Sequence, residues 1–322
     1  ENAPNKIIKG IQISLKKNKE NYFYLFGNKN LLEEELKKNN LTNDHCEIID
    51  CKDTISDDES PLVAAKKSKE TSMWKSIEFL KDRRGDITLS AGNTGAMLVI
   101  SRLLLNNIKG INKPTLAGLW PNKNNMNVVL DLGANILCDE KNLCDFASMG
   151  SALFKSLFKN DKPKVALLNV GLEENKGSEI LKKTYTILKK KNIHNFDFTG
   201  YIEGNHIMDG NVDVIITDGF TGNVALKTAE GTANFISNNL KKSLNKLSIL
   251  FSYPSLLKFK NKLDPRKYNG AIFLGLESPL VKSHGSTDSI GFAHSINVCN
   301  QIVKGNLIEK IKSNLITIDD KL

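Results

Sequence analysis

The run Ser90-Ala91-Gly92-Asn93-Thr94-Gly95-Ala96-Met97 constrains this chain more than any other stretch. Asp86–Leu89 before it reads as a short buried strand, and Ala96–Leu105 after it carries an apolar face at helical spacing. Two glycines and short polar side chains therefore stand where a strand hands over to a helix. Glycine lets the backbone come close to a ligand. The first-turn N–H groups of a helix lack intrahelical partners and, with the helix dipole, favour an anion. Asn93 and Thr94 are residues that cap helices or donate to ligands. Asp218-Gly219-Phe220-Thr221-Gly222-Asn223 repeats the design, between a strand at Val212–Thr217 and a helix opening near Val224. Two such turns point to a site for something phosphorylated. The plain alternative is that they only pack a helix against its sheet.

Further strand-turn-helix units follow the same plan. Tyr22–Phe26, Glu47–Asp50, Val128–Leu132, Lys164–Asn169, Phe196–Tyr201 and Gly270–Gly275 read as strands, and Val281–Ser286 resumes the sheet. Helices are expected at Lys6–Lys17, Leu31–Lys38, Met73–Lys81, Lys141–Phe158, Glu179–Lys191 and from Ser289 to about Ile311. Lys109–Asn127, with Pro114, Pro121 and an asparagine-rich tip, reads as irregular. The alternation predicts an α/β fold, a Rossmann-like, mostly parallel sheet flanked by helices over residues 1–322, with Lys164–Gly171 as a central strand. The chain opens on a helix pattern, so a strand is expected ahead of it. In such sheets ligands bind at strand C-terminal ends. Ser90, Asp131, Asn169 and Asp218 all end strands, so their loops are expected to converge.

Composition narrows the partners. A formal charge of +9 favours acidic ones, but lysines scattered through helices and loops argue against a sequence-reading nucleic-acid protein. Lys66, Lys67 and Lys69 read either as an anion clamp facing the Ser90 loop or as a solvated turn. Five cysteines, with neither CxxC nor zinc spacing, suit a reducing cytosol without a disulfide framework. The five histidines show no metal-ligand spacing, and His284 is the one placed at a glycine-rich strand end. No GxGxxG follows a strand, and P-loop, GxSxG and HExxH patterns are absent. No apolar run reaches a membrane span.

Five stretches carry a family resemblance: Ser90–Ala96, Asp131-Leu132-Gly133-Ala134-Asn135, Leu168-Asn169-Val170-Gly171 with Lys176-Gly177, Thr217–Val224 with Leu226-Lys227-Thr228, and Lys282-Ser283-His284-Gly285-Ser286. In this order the chain resembles the bacterial phosphate acyltransferases of the PlsX type. It departs from them at Leu137, where an acid is usual, at Asn205-His206 in place of an Arg-Asp pair, and at Asn269 in place of the first of two glycines. The opening Glu1-Asn2-Ala3-Pro4 stands where that family carries a strand and an Asp-Ala-Met-Gly-Gly-Asp-like segment.

The resemblance implies a fold like that of isocitrate and isopropylmalate dehydrogenases and of phosphotransacetylases, a homodimer, no cofactor and no metal. It implies transfer of an acyl group from acyl carrier protein to inorganic phosphate, with the acyl phosphate passed to a membrane glycerol-3-phosphate acyltransferase. Phosphate is itself a nucleophile, which leaves the protein to position substrates and stabilise the oxyanion. On this reading Ser90, Gly92, Asn93, Thr94 and Gly95, with Gly219, Thr221 and Gly222, form the phosphate cradle. Asn135, Asn169, Asp218 and Lys227 complete the substrate loops, and Lys176, Asn223 and His284 stabilise charge. Residues 240–263 read as an inserted amphipathic hairpin: Leu240, Leu244, Leu247 and Phe251, then Leu256, Phe259 and Leu263, among lysines. The hairpin fits either an anionic surface, lipid or carrier protein, or a stripe packed within the homodimer. Location is then cytoplasmic, peripheral at the inner face of the membrane. The rivals are a phosphotransacetylase-like enzyme using acyl-coenzyme A and a non-catalytic scaffold for carrier protein and membrane.

Overall fold

In the computed structural model, residues 3–41, 44–56, 59–67, 69–158, 160–190, 195–243, 266 and 269–315 are described. Among these residues are ten strands, most of them separated by helices. Strands β3 (Thr88–Ser90), β4 (Thr115–Pro121), β5 (Met126–Leu130), β6 (Lys164–Asn169), β7 (Asp197–Glu203), β8 (Val214–Ile216), β9 (Ala271–Leu274) and β10 (Leu280–Lys282) form one sheet of order β3-β10-β9-β4-β5-β8-β6-β7. β1 (Phe23–Gly27) and β2 (Cys46–Asp50) pair in parallel as a separate two-stranded sheet. Of the seven pairings in the large sheet, β3–β10, β5–β8, β8–β6 and β6–β7 are parallel. The other three, around β9 and β4, are antiparallel.

Two expectations fail here. Lys109–Asn127 is not irregular: β4 and β5 form an antiparallel hairpin across the asparagine tip. Asn122 Oδ1 accepts from the amides of Asn124 and Asn125, at 2.9 and 2.5 Å, and closes the turn. Pro121 sits at the strand end opposite Met126, where its missing N–H does not interrupt the ladder. Three antiparallel steps, β5 to β4, β4 to β9 and β9 to β10, separate the two halves of the sheet, so β3 and β10 run opposite to β5, β6 and β8. A shared C-terminal edge therefore does not bring the Ser90 loop to Asp131, Asn169 and Asp218. β6 is also not central: it lies between β8 and the edge strand β7.

Helix α6 (Glu140–Phe158) is the hub of the core, buried on nearly every side because strands and helices cover it all round. Phe146, Met149 and Leu153 pack with Val128, Leu130, Val214 and Ile216 in the largest apolar cluster. α4 (Ser72–Lys81) and α5 (Thr94–Leu104) pack Trp74, Ile77, Met97 and Ile100 against Phe273 and Leu280. α1 (Asn5–Leu15) packs on α9 (Ser289–Lys304) through Ile8, Ile11, Phe292 and Ile296. The expected last helix is two, α9 and α10 (Leu307–Asn314), broken at Asn306 with φ of 49°. Between them lie α2 (Lys29–Lys38), α3 (Pro61–Lys67), α7 (Glu179–Lys189) and α8 (Gly219–Ser243). α8 opens at Gly219, five residues before the expected Val224. Of the hairpin at 240–263, the first four residues end α8 and the rest lies outside the described residues, as do the side chains of Lys66 and Lys67.

Candidate active site

The site residues fall into three groups. The first stands where β3 and β10 end side by side, Ser90 level with Lys282. Ser90 Oγ accepts from the Gly92 amide at 3.2 Å, and Ser283 N–H donates to the Ser90 carbonyl at 2.8 Å. Asn93 caps α5 by accepting from the Ala96 amide at 2.9 Å, and its Nδ2 donates to the Glu59 carbonyl. Gly95 lies against Pro61, and Thr94 is exposed at the first helical position. Across from them, Asn269 pins the 283–286 loop. Its Nδ2 donates to Ser283 Oγ at 2.8 Å, and its Oδ1 accepts from His284 N–H at 2.8 Å. The residue that departs from the family pattern is thus the support of the His284 loop. His284 is exposed; its Nδ1 accepts from Ser286 N–H at 3.2 Å and lies 2.8 Å from Ser286 Oγ, which in the neutral ring leaves the proton on Nε2 as a donor. Lys6 Nζ donates to the Gly285 carbonyl and Lys282 Nζ to that of Ser283; both lysines are more than nine-tenths buried. Two buried ammonium groups and the N-terminus of α5 meet at this corner, and a helix N-terminus favours an anion beside it.

The second group centres on Asp131, which is fully buried at the end of β5. Its Oδ1 accepts from the amides of Leu116, Gly133 and Ala134, and its Oδ2 from Asn135 N–H at 2.7 Å and Nδ2 at 2.8 Å. Asn135 Nδ2 also donates to the Pro114 carbonyl, and Asn135 Oδ1 accepts from Arg102 Nη2 at 2.9 Å. Asn135 is therefore a buried strut between α5 and the 131–135 turn, not an open ligand. α8 starts against that turn. A Cβ on Gly222 would lie 1.9 Å from the Asp131 carbonyl oxygen and one on Gly219 2.6 Å from that of Asn135, so only glycine permits this approach.

This start is not the phosphate cradle the sequence predicted. Gly219 N–H donates to the Asn135 carbonyl and Gly222 N–H to the Asp218 carbonyl, while the Asp218 carboxylate accepts from Thr221 N–H and Oγ1, both at 2.8 Å. The carboxylate already occupies the helix N-terminus and would repel a second anion. Asn223, exposed on the first turn, donates to the Leu132 carbonyl at 3.4 Å. Lys227, one turn on, pairs with Glu230 at 2.7 Å.

In the third group Asn169 Nδ2, at the end of β6, donates to the carbonyls of Gly171 and Lys176 and so clamps both ends of one loop. Lys176 is exposed on that loop, and Gly177 turns the chain with φ of 89° before Ser178 caps α7. Sequence reasoning missed Arg102, Asp131, Asn269, Lys6 and Lys282 as site residues. Lys282 left a trace, as the one charge in an apolar strand; Asp131 and Asn269 resemble ordinary turn residues until their partners are known. Burial pushes the half-buried Cys138 thiol up to about 11, so no thiolate nucleophile stands here at neutral pH. No cluster of three metal-ligating side chains occurs among the described residues.

The fold is that of the phosphotransacetylases and related α/β enzymes. A phosphotransacetylase from Streptococcus pyogenes superposes with a TM-score of 0.63 at 14% identity, over 95% of this chain and 92% of that one. A protein described as a putative 4-hydroxythreonine-4-phosphate dehydrogenase from Salmonella typhimurium gives 0.51 at 14% identity, over 93% and 95%. The family model described as "Fatty acid synthesis protein" matches residues 1–310. A phosphate acyltransferase from Pelagibacter ubique is 55% identical over 98% of this chain and 96% of its own length. One from Roseobacter denitrificans is 37% identical over 98% and 90%. The chain belongs to the phosphate acyltransferase family, a family of transferases.

Proposed function

We propose that the chain moves an acyl group from acyl carrier protein to inorganic phosphate and so feeds phospholipid synthesis. The observation that supports this reading is the corner where Thr94 and the exposed His284 stand beside the buried ammonium groups of Lys6 and Lys282, a set of donors suited to phosphate. A phosphate oxygen attacks the thioester carbonyl carbon, the C–S bond breaks, and the proton of hydrogen phosphate ends on the departing thiol. The His284 Nε2–H donor is suited to the charge on phosphate, and the Lys176 ammonium, in the third group, is assigned to the tetrahedral oxygen; transfer then requires the thioester to reach from that loop to the His284 corner. Removing one such donor costs about 10²–10³ in rate where it has been measured. Asn223, on the exposed first turn of α8, is assigned with Lys176 to the tetrahedral oxygen.

The test is acyl phosphate formation by the purified chain with a matched pair of thioesters, acyl-acyl carrier protein and acyl-coenzyme A. Preference for the carrier protein is expected; equal use would favour the second reading, a phosphotransacetylase-like enzyme, to which the shared fold lends weight. The chain is taken to act as a homodimer, peripheral to an anionic membrane where a glycerol-3-phosphate acyltransferase accepts the product. No described helix is long and apolar enough to cross a membrane, and surface charge contributes about 1 kcal/mol per lysine to such binding. Association with anionic vesicles that falls as salt rises, and that is lost in Leu247→Glu with Phe251→Glu, is the expected result. Dissociation to monomers in that variant would assign the stripe to the dimer instead.

A further inference from the structure

A cavity of about 300 Å³ opens beside the Asp218 cap. Leu143 of α6 forms its buried floor, and Leu181 of α7, Leu137, Cys138 and Phe220 form its walls. Ser178, Asp218 and Thr221 supply the polar part of its lining. The rim is unusual for a surface: Leu137 is 81% and Phe220 63% exposed, so large apolar side chains stand in water around an apolar recess. Ser178 is two residues beyond Lys176, and Asp218 and Thr221 begin the helix that carries Asn223. Apolar recess and charged loops are therefore contiguous along the chain.

Building on the acyl-transfer reading above, we propose that this cavity is the subsite for the hydrocarbon chain of the acyl thioester, with the thioester end lying toward Lys176 and Asn223. The lining favours an alkyl chain over a charged ligand, since its leucines, isoleucines and Phe220 outnumber the polar groups of Ser178, Asp218 and Thr221. At about 30 Å³ per water-sized unit the volume holds roughly ten methylene-sized groups, the inner part of a long chain and not all of it. Cys138 contributes a soft, apolar wall here.

The experiment compares butyryl, octanoyl, dodecanoyl and hexadecanoyl thioesters on one carrier thiol, with inorganic phosphate, in the full chain and in Leu181→Trp and Phe220→Ser. Each methylene buried is worth about a fourfold gain in kcat/KM (~0.8 kcal/mol, at 1.4 kcal/mol per factor of ten). A steep rise from butyryl to octanoyl and a plateau near ten carbons are expected. Leu181→Trp, which fills the recess, is expected to cut dodecanoyl turnover at least about tenfold and to leave butyryl turnover unchanged. Phe220→Ser, at an exposed position, gives the same pattern in weaker form and keeps the idea testable should the tryptophan disturb folding. Equal losses for every chain length, or variants that change oligomeric state, would assign the cavity to a subunit interface and overturn the subsite. Calorimetry with dodecyl phosphate separates this from failure of the reaction assignment: binding that Leu181→Trp abolishes supports the subsite even without turnover, and binding equal in both proteins sinks it.

Discussion

Asp131→Asn is the sharpest test of how the second group is held. The substitution keeps size and shape and removes one charge. If the new amide oxygen takes the three donors of Leu116, Gly133 and Ala134, its NH₂ faces Asn135 N–H and Nδ2, two donors against a donor. Turning the Asn135 amide over does not help. It would set NH₂ against Arg102 and an oxygen against the Pro114 carbonyl. At least two hydrogen bonds are lost whichever way the amides turn, at about 1.5–3 kcal/mol each, or ~3–6 kcal/mol for two together. Unfolding entropy of about 2.1 cal/mol/K per residue, over 322 residues, makes 1 kcal/mol worth ~1.5 °C, so Tm is expected to fall by about 4–9 °C. Differential scanning calorimetry measures it. A fall below ~2 °C would mean that the carboxylate is not the keystone of the turn, and that the Gly219–Gly222 start of α8 is held by backbone contacts alone.

Lys6→Met and Lys282→Met are each expected to raise KM for phosphate by about 10- to 100-fold, the worth of one charge-assisted bond, with kcat at saturating phosphate little changed; a loss of Tm with KM intact would make both lysines purely structural. Lys176→Ala and Asn223→Ala are each expected to lower acyl phosphate formation at least about tenfold and leave Tm nearly unmoved, because both side chains are exposed; normal turnover in both would put charge stabilisation elsewhere. Alkylation of Cys138 follows its thiolate: with the thiol up at about 11, the rate at pH 8 is expected to be roughly a hundredfold below that of an ordinary cysteine, rising tenfold per pH unit toward 11; mass spectrometry of the labelled peptide at several pH values would expose a faster, activated thiol.

The strand-turn-helix grammar around Ser90 and Asp218 was legible in the linear chain because it rests on local chemistry. Small residues, caps and hydrophobic periodicity are read within a few positions of one another. Asn93 and Ser178 cap the helices their sequences announce, and the runs at Leu168–Gly171 and Lys282–Ser286 were enough to carry the family resemblance. What lay beyond reach depends on direction and on partners distant in sequence. The three antiparallel pairings around β4 and β9 reverse the sheet, and no residue near Ser90 encodes that reversal. The Asp218 turn resembles an anion cradle until its own carboxylate and the Asn135 carbonyl are found on the amides. Lys6 reaches Gly285, and Arg102 reaches Asn135, across 279 and 33 residues. Local free energy selects the elements, whereas their strand sense and the burial of these charges are settled only when the sheet closes around α6. That is why the chain alone identified its loops and the tertiary structure alone sorted them into struts, caps and open donors.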